Sequence, residues 1–274
     1  MKIKIISIIL FLVLGFVNMQ AQTDYLPKAG TIALGASANI ANIFTNFGDA
    51  VKVPSLSIQL YVGSKTAVRG TFGIDYANNL DKFYVRDDAA YVLNPLSNVQ
   101  VVDTKKVLGN NYNTSLAIQQ FFGETKLRGF IGLQGLYLAG SSKTNNTYAN
   151  PMNAMNPFPS SYNGAYTSYN GSNSANQRTL EVNISSTYSI GGGIIAGFEY
   201  FVLPRLSIGG EMSLNAIYSH TGQASTKSET LVNGEVLTID QAVSPGSTNL
   251  EIKSLGYASK DINQQIGFYV MYHF

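Results

Sequence analysis

Residues 206–218 read LSIGGEMSLNAIY. In an extended chain Leu206, Ile208, Gly210, Met212, Leu214, Ala216 and Tyr218 share one face, while Ser207, Gly209, Glu211, Ser213 and Asn215 share the other. Alternation sustained this long predicts a β-strand with one apolar and one polar side. Working outward, Phe201–Arg205 is a short turn containing Pro204, and before it Ser189–Tyr200 is a second, Gly-rich strand that Thr179–Thr187 could lengthen. The same reading yields six more strands, at Thr31–Ile40, Ser55–Val62, Val68–Tyr76, Tyr112–Phe122, Leu127–Ala139 and Ile262–Phe274.

The charges decide which face is wet. Arg69, Asp75, Arg128, Glu199 and Glu211 are the charged residues of these strands, and all have the parity of the less apolar face. A water-soluble sandwich or lipocalin-like barrel has the reverse polarity, apolar face inward and charge outside. It would also need ample surface charge, whereas the 274 residues are 12% charged, about half the usual ~25%. The pattern therefore predicts a membrane-spanning, antiparallel up-and-down β-barrel of eight strands, because an Arg or Lys facing lipid at mid-depth costs about 2–4 kcal/mol. Aromatics mark its two interfaces. Tyr76, Tyr112, Tyr137 and Tyr218 lie on the apolar face at one end of their strands, and Phe122, Tyr200, Tyr272 and Phe274 at the other.

Residues 1–21 read MKIKIISIILFLVLGFVNMQA: Lys2 and Lys4, an apolar run from Ile5 to Val17, then Ala21. The run falls short of the ~20 residues a spanning helix needs, so this predicts a secretory signal peptide cleaved after Ala21. Removing Lys2 and Lys4 from the 18 basic residues leaves 16, equal to the 16 acidic ones. Residues 22–274 are then one barrel. Its short turns are Gly63–Ala67, Gly123–Lys126 and Phe201–Arg205, and its long extracellular connections are 41–54, 77–111, 140–188 and 219–261. The absence of Cys excludes disulfides, a thiolate metal site and a lipidated N-terminus. The near-neutral charge gives no footprint for nucleic acid.

The chain ends QIGFYVMYHF, residues 265–274. Gln265, Gly267, Val270 and Tyr272, followed by terminal Phe274, resemble the signal by which outer-membrane barrels are inserted. GFEYFVLPRLSIGGEM, residues 197–212, resembles a strand–turn–strand unit of the OmpX-type and porin-family small barrels. That resemblance implies the outer membrane of a Gram-negative-type bacterium, insertion by the barrel-assembly machinery, contact with outer-membrane lipid and lipopolysaccharide, and no cofactor.

An eight-stranded barrel is narrow enough to be filled by side chains. The inward set is predicted to include Gln59, Tyr61, Gln119, Phe121, Phe130, Gln134, Asn215, Asn263, Gln265, Tyr269, Met271 and His273. Arg69, Arg128 and Glu199 are expected to form one charged layer near the short turns, with Asp75, Gln134 and Glu211 higher in a lumen polar network. Specificity then falls to the loops and an unidentified extracellular ligand. Tyr148, Tyr162, Tyr166 and Tyr169 lie in an Asn/Ser-rich stretch, 141–178, whose only charges are Lys143 and Arg178. Asn233-Gly234 predicts a type I′ hairpin above the rim. Loop 77–111 carries a balanced, solvated charge set, in which the Asp87-Asp88 pair lacks EF-hand spacing. The leading expectation is a non-enzymatic surface-binding or structural barrel with no catalytic, metal or cofactor site. One alternative is a narrow channel for a small or hydrophobic solute. The other is a lipid hydrolase using His220 with Ser219, Thr221 and Glu211 or Glu229.

Overall fold

All eight predicted strands form in a computed structural model that describes residues 26–39, 55–166, 177–254 and 267–274. In chain order the elements are β1 (Ile32–Asn39), β2 (Ser55–Tyr61), β3 (Thr66–Arg86), α1 (Asp88–Leu93), β4 (Gln100–Phe122), β5 (Leu127–Thr147), β6 (Gln177–Leu203), β7 (Leu206–Thr221), β8 (Ala224–Val232), β9 (Glu235–Ser244), β10 (Ser247–Ser254) and β11 (Gly267–His273). Antiparallel pairing runs β1–β2–β3–β4–β5–β6–β7–β11 and closes from β11 back to β1. That ring has eight members. The signal segment, the connection 41–54, Asn263 and Gln265 lie outside the described residues.

Parity is obeyed with the apolar face outward. Leu56, Ile58, Phe72, Ile74, Leu116, Ile118, Leu133, Ile194 and Leu214 are exposed, whereas Gln59, Arg69, Thr71, Gln119, Arg128, Glu199 and Asn215 are buried. A core packed in water shows the opposite arrangement, and only an apolar surrounding makes this one favourable. The predicted girdle residues Tyr76, Tyr112, Tyr137, Tyr218, Phe122, Tyr200 and Phe274 are all exposed on that outer face. The upper tyrosines fall within three consecutive outward rows. Tyr76 is level with Asn110, Tyr112 with Ile74 and Ala139, and Tyr137 and Tyr218 both with Ile190. Tyr188, level with Ala139 and likewise exposed, joins them.

The long connections need correction. Much of 77–111, 140–188 and 219–261 is paired strand: β3 and β4 stay in register from Thr66↔Gln120 to Arg86↔Gln100, well past the girdle. The reason is that the hydrogen-bond ladder continues where the outer face no longer meets lipid and the inner face meets water or the polar segment 148–166, so the apolar half of the alternation stops. Asn78, Asn79, Asp81 and Lys82 carry no period-two hydrophobic signal, yet their backbone groups still find partners across the hairpin.

The segment after β7 is one long hairpin. Thr187 faces Thr221 and Asn183 faces Ser225, so β8 continues β7 along a single edge of β6 past Gly222-Gln223. The return arm, β9 then β10, breaks opposite that point at Pro245-Gly246, where Pro has no N–H to donate. At the tip Asn233 has φ 53° and Gly234 φ 86°, the two left-handed residues of the predicted type I′ turn. Beyond β10 the register jumps: Ser254 faces Leu214, whereas Gly267 faces Glu211, only three positions along β7.

Candidate functional site

Near the short turns the lumen is filled by one charge pair in an aromatic cage. Arg128 and Glu199 are directly opposite each other on β5 and β6, which brings their side chains together. Arg128 donates to Glu199 Oε2 through Nη2 at 2.6 Å and Nε at 3.0 Å, and to Tyr61 Oη at 2.5 Å. Its guanidinium lies 4.1 Å from the ring centre of Phe121 and 5.0 Å from those of Tyr61 and Phe201. The other carboxylate oxygen accepts from Ser207 at 2.7 Å, and Ser207 lies 2.8 Å from His273 Nε2. Tyr61, Phe121, Phe130 and Met271 pack as one buried cluster around this centre. Gly197 makes room for it, since a Cβ there would come within 2.6 Å of the Phe130 ring.

A second pair crosses higher up. Arg69 on β3 reaches Glu211 on β7, four strands away around the ring of eight. Tyr269 stacks on Arg69 at 5.4 Å and donates to Phe198 O at 3.3 Å. The expected single layer of Arg69, Arg128 and Glu199 is thus two. Strand stagger raises Arg69 out of the Arg128 layer to the level of Glu211. Gln134 donates to Asn215 at 2.7 Å and Asn215 to Ser213 at 2.9 Å. Asp75 is exposed at the upper opening, 3.5 Å from Asn111, and joins neither pair. Gln119 is fully buried on the lumen face, with both amide atoms lacking a partner among the described residues.

At the far end the strand extensions hold an ordered cap. Val85 and Asp103 keep the inward parity of Arg69 and Ala117 on the same unbroken register, and residues 148–166 fold onto that face. Asp103 accepts from the backbone N–H of Ala149 at 2.9 Å and of Tyr162 at 3.1 Å. Asp88 accepts from Ser160 N at 2.6 Å, Asn156 Nδ2 at 2.9 Å and Arg86 Nη2 at 3.2 Å. Asn150 ties both ends of the segment, donating to Arg86 O at 2.8 Å and Ser160 O at 2.9 Å. Arg178 of β6 donates to Glu229 of β8 at 2.7 Å and to Asn150 O and Ser161 Oγ at 3.0 Å, beneath the Tyr148 ring at 4.2 Å. Tyr162 stacks between Phe83, 4.6 Å away, and Tyr148, 6.0 Å away. Burial raises the Tyr148 phenol above its ordinary range, and Tyr162 adds to it.

Asp88 and Asp103 therefore depart from the solvated charge set expected of loop 77–111: both are buried acceptors for the cap. Asp87 instead caps α1 by accepting from Ala90 N at 3.1 Å. No group of three His, Asp or Glu able to hold a metal ion occurs among the described residues. Tyr148, Tyr162 and Tyr166 point into the cap rather than out of it, and Tyr169 lies outside the described residues. His220 has the outward parity and stacks on Tyr188 at 5.0 Å. Glu211 is on the opposite face of the same strand, held by Arg69, and Glu229 is held by Arg178. Ser207, His273 and Glu199 are hydrolase residue types in contact, but the carboxylate meets the serine and the same Nε2 that the serine uses, at 3.4 Å. A triad needs it on Nδ1.

Neither a protein family nor a curated protein matches this chain. A solved major outer membrane protein from Thermus thermophilus is similar to it. The two are 12% identical with a TM-score of 0.36, over 90% of this chain and 100% of that one. The barrel reading rests on strand register and residue exposure.

Sequence parity placed the lumen residues; it did not place the cap. Two signals were nonetheless there: Arg178, isolated in a stretch nearly devoid of charge, and Asp103, an even number of residues from Ala117 on one strand. The buried acids give two expected outcomes. Glu199→Ala, by leaving Arg128 buried without its partner, costs ~3–5 kcal/mol, whereas Arg128→Met/Glu199→Leu recovers most of that; urea unfolding in phospholipid vesicles measures both. For Asp88, burial alone would raise the carboxyl, but the hydrogen bonds from Ser160, Asn156 and Arg86 outweigh it and hold it below the ordinary value. Its stabilisation is full above the unfolded value near ~4 and disappears as pH falls through the lower folded value. Amide exchange across 148–166 accelerates there, and Asp88→Asn removes that pH dependence.

Proposed function

We propose that the protein is a non-enzymatic outer-membrane barrel whose lumen is closed and whose tall, capped end faces the cell exterior as a binding surface. The observation that carries this reading is the Arg128–Glu199 layer, which with Tyr61, Phe121, Phe130 and Phe201 occupies the width of an eight-stranded barrel. The outward apolar wall, the two aromatic girdles and the signal-like residues 1–21 support the location. The outward position of His220 supports a role without catalysis. Binding falls to the tip. Asn156 donates to Asp88 at the head of α1, and at this end Val92, Leu93 and Leu96, with Met155 and Phe158 of the cap, are exposed. Exposed apolar side chains at the tip suit contact with another macromolecular surface.

A narrow channel is the competing reading, favoured by Gln119 in the lumen, whose amide has no partner among the described residues. Planar-bilayer recording separates them. The wild-type barrel gives no steady conductance, and Arg128→Gly/Glu199→Gly, which empties the plug, opens one; steady wild-type current altered by Arg69→Ala transfers the assignment to transport. On cells, Leu93→Asp/Leu96→Asp lowers surface adhesion while the barrel remains inserted. Unchanged adhesion removes the tip from the function.

A further inference from the structure

Three adjacent strands carry the same outward pair. Counting from each upper girdle tyrosine toward the tall end, Lys82 is six residues beyond Tyr76 on β3, Lys106 six beyond Tyr112 on β4, and Lys143 six beyond Tyr137 on β5. Register makes them neighbours. Lys106 faces Leu80 and Asn145, each two residues from a lysine, so Lys82, Lys106 and Lys143 form one diagonal line across the outer wall. The line runs parallel to that of the tyrosines, as a level belt on tilted strands must.

Like charges at diagonal positions repel, and the local carboxylates relieve only one end. Lys143 pairs with Glu181 at 2.7 Å. Lys82 and Lys106 are exposed and have no ion pair among the described residues; Asp81 and Lys105, level with each other, have the opposite parity. Beside Lys82 on the same face stands Tyr84, 74% exposed, an aromatic ring with nothing of the barrel to cover it.

Height selects the ligand. Six strand residues at a tilt of about 40° rise roughly 15 Å above the girdle. A phospholipid headgroup layer is about 5–8 Å thick, so its phosphodiesters lie well below these ammonium groups. A lipid whose headgroup is a saccharide bearing phosphates reaches that level, and it offers sugar faces to Tyr84 as well as charge to the lysines. We infer that the outer wall of β3–β5 binds the phosphorylated saccharide headgroup of an outer-leaflet lipid through Lys82, Lys106 and Lys143, with Tyr84 against a sugar ring. This rests on the outer-membrane reading above.

The test uses the full-length barrel in nanodiscs and a fluorescent bis-phosphorylated disaccharide lipid (lipid A) as probe, with phosphatidylglycerol and inorganic phosphate as competitors. Lys82→Gln/Lys106→Gln weakens binding roughly thirtyfold, added salt weakens wild-type binding, and Tyr84→Ala weakens it for lipid A alone. Equal binding by the double-glutamine variant overturns the site, as does displacement by phosphatidylglycerol or phosphate as effective as that by unlabelled lipid A. Slower gel migration of each variant after boiling reports barrel integrity separately. A protein that never enters the nanodisc instead defeats the outer-membrane reading and not this site alone.

Discussion

A charged side chain in the wall of a narrow barrel has two directions available, and lipid forbids one of them. Everything inside this molecule follows from that restriction. Arg69, Arg128, Glu199 and Glu211 are turned inward, and once inside each must find an opposite charge, since burying one alone is prohibitively costly. Two routes serve. Arg128 and Glu199 meet as cross-strand neighbours, which strand pairing alone arranges. Arg69 and Glu211 meet across the lumen, which only a closed ring of the right size and stagger allows. The second pair is therefore a statement about closure, and it ties β3 to β7 without any shared hydrogen-bond ladder.

That difference explains what could be read from the amino acids in advance. Parity is a property of one strand, so which of Gln59, Arg69, Gln119 or Asn215 faces inward was legible residue by residue. The Asn233-Gly234 turn was legible for the same reason, because its chemistry is complete in two residues. Which inward residue meets which depends on stagger accumulated over several strands, and no single strand records it. Stagger of that kind is what separates Arg69 from the Arg128–Glu199 layer and pairs it with Glu211.

The strand extensions failed to show for a different reason. Hydrophobic alternation reports a contrast between two environments, and above the girdle that contrast fades. Lys143-Thr144-Asn145-Asn146 is as much a strand as Leu133-Gln134-Gly135-Leu136, but water or a hydrated cap lies on either side of it. The cap itself is built from backbone N–H groups donated to Asp88 and Asp103. A donor of that kind has no sequence identity, so only the acceptors are visible beforehand, and an isolated aspartate in a polar stretch looks solvated.

The tall wall changes what the barrel can present. A barrel that ended at its tyrosines would expose only loops, whereas β3 to β6 carry a rigid, hydrogen-bonded surface well beyond the girdle, with its inward side occupied by residues 148–166. Filling that inner side lets it stand as a sheet pair instead of fraying, because Arg178, Asn150 and Glu229 join β6 and β8 to the cap across the mouth. The outer side is then free to be patterned for its surroundings, apolar below, tyrosine at the boundary and lysine above. One continuous set of strands thus meets hydrocarbon, the lipid interface and the layer outside it in turn, and the order of residues along each strand is the order of those environments.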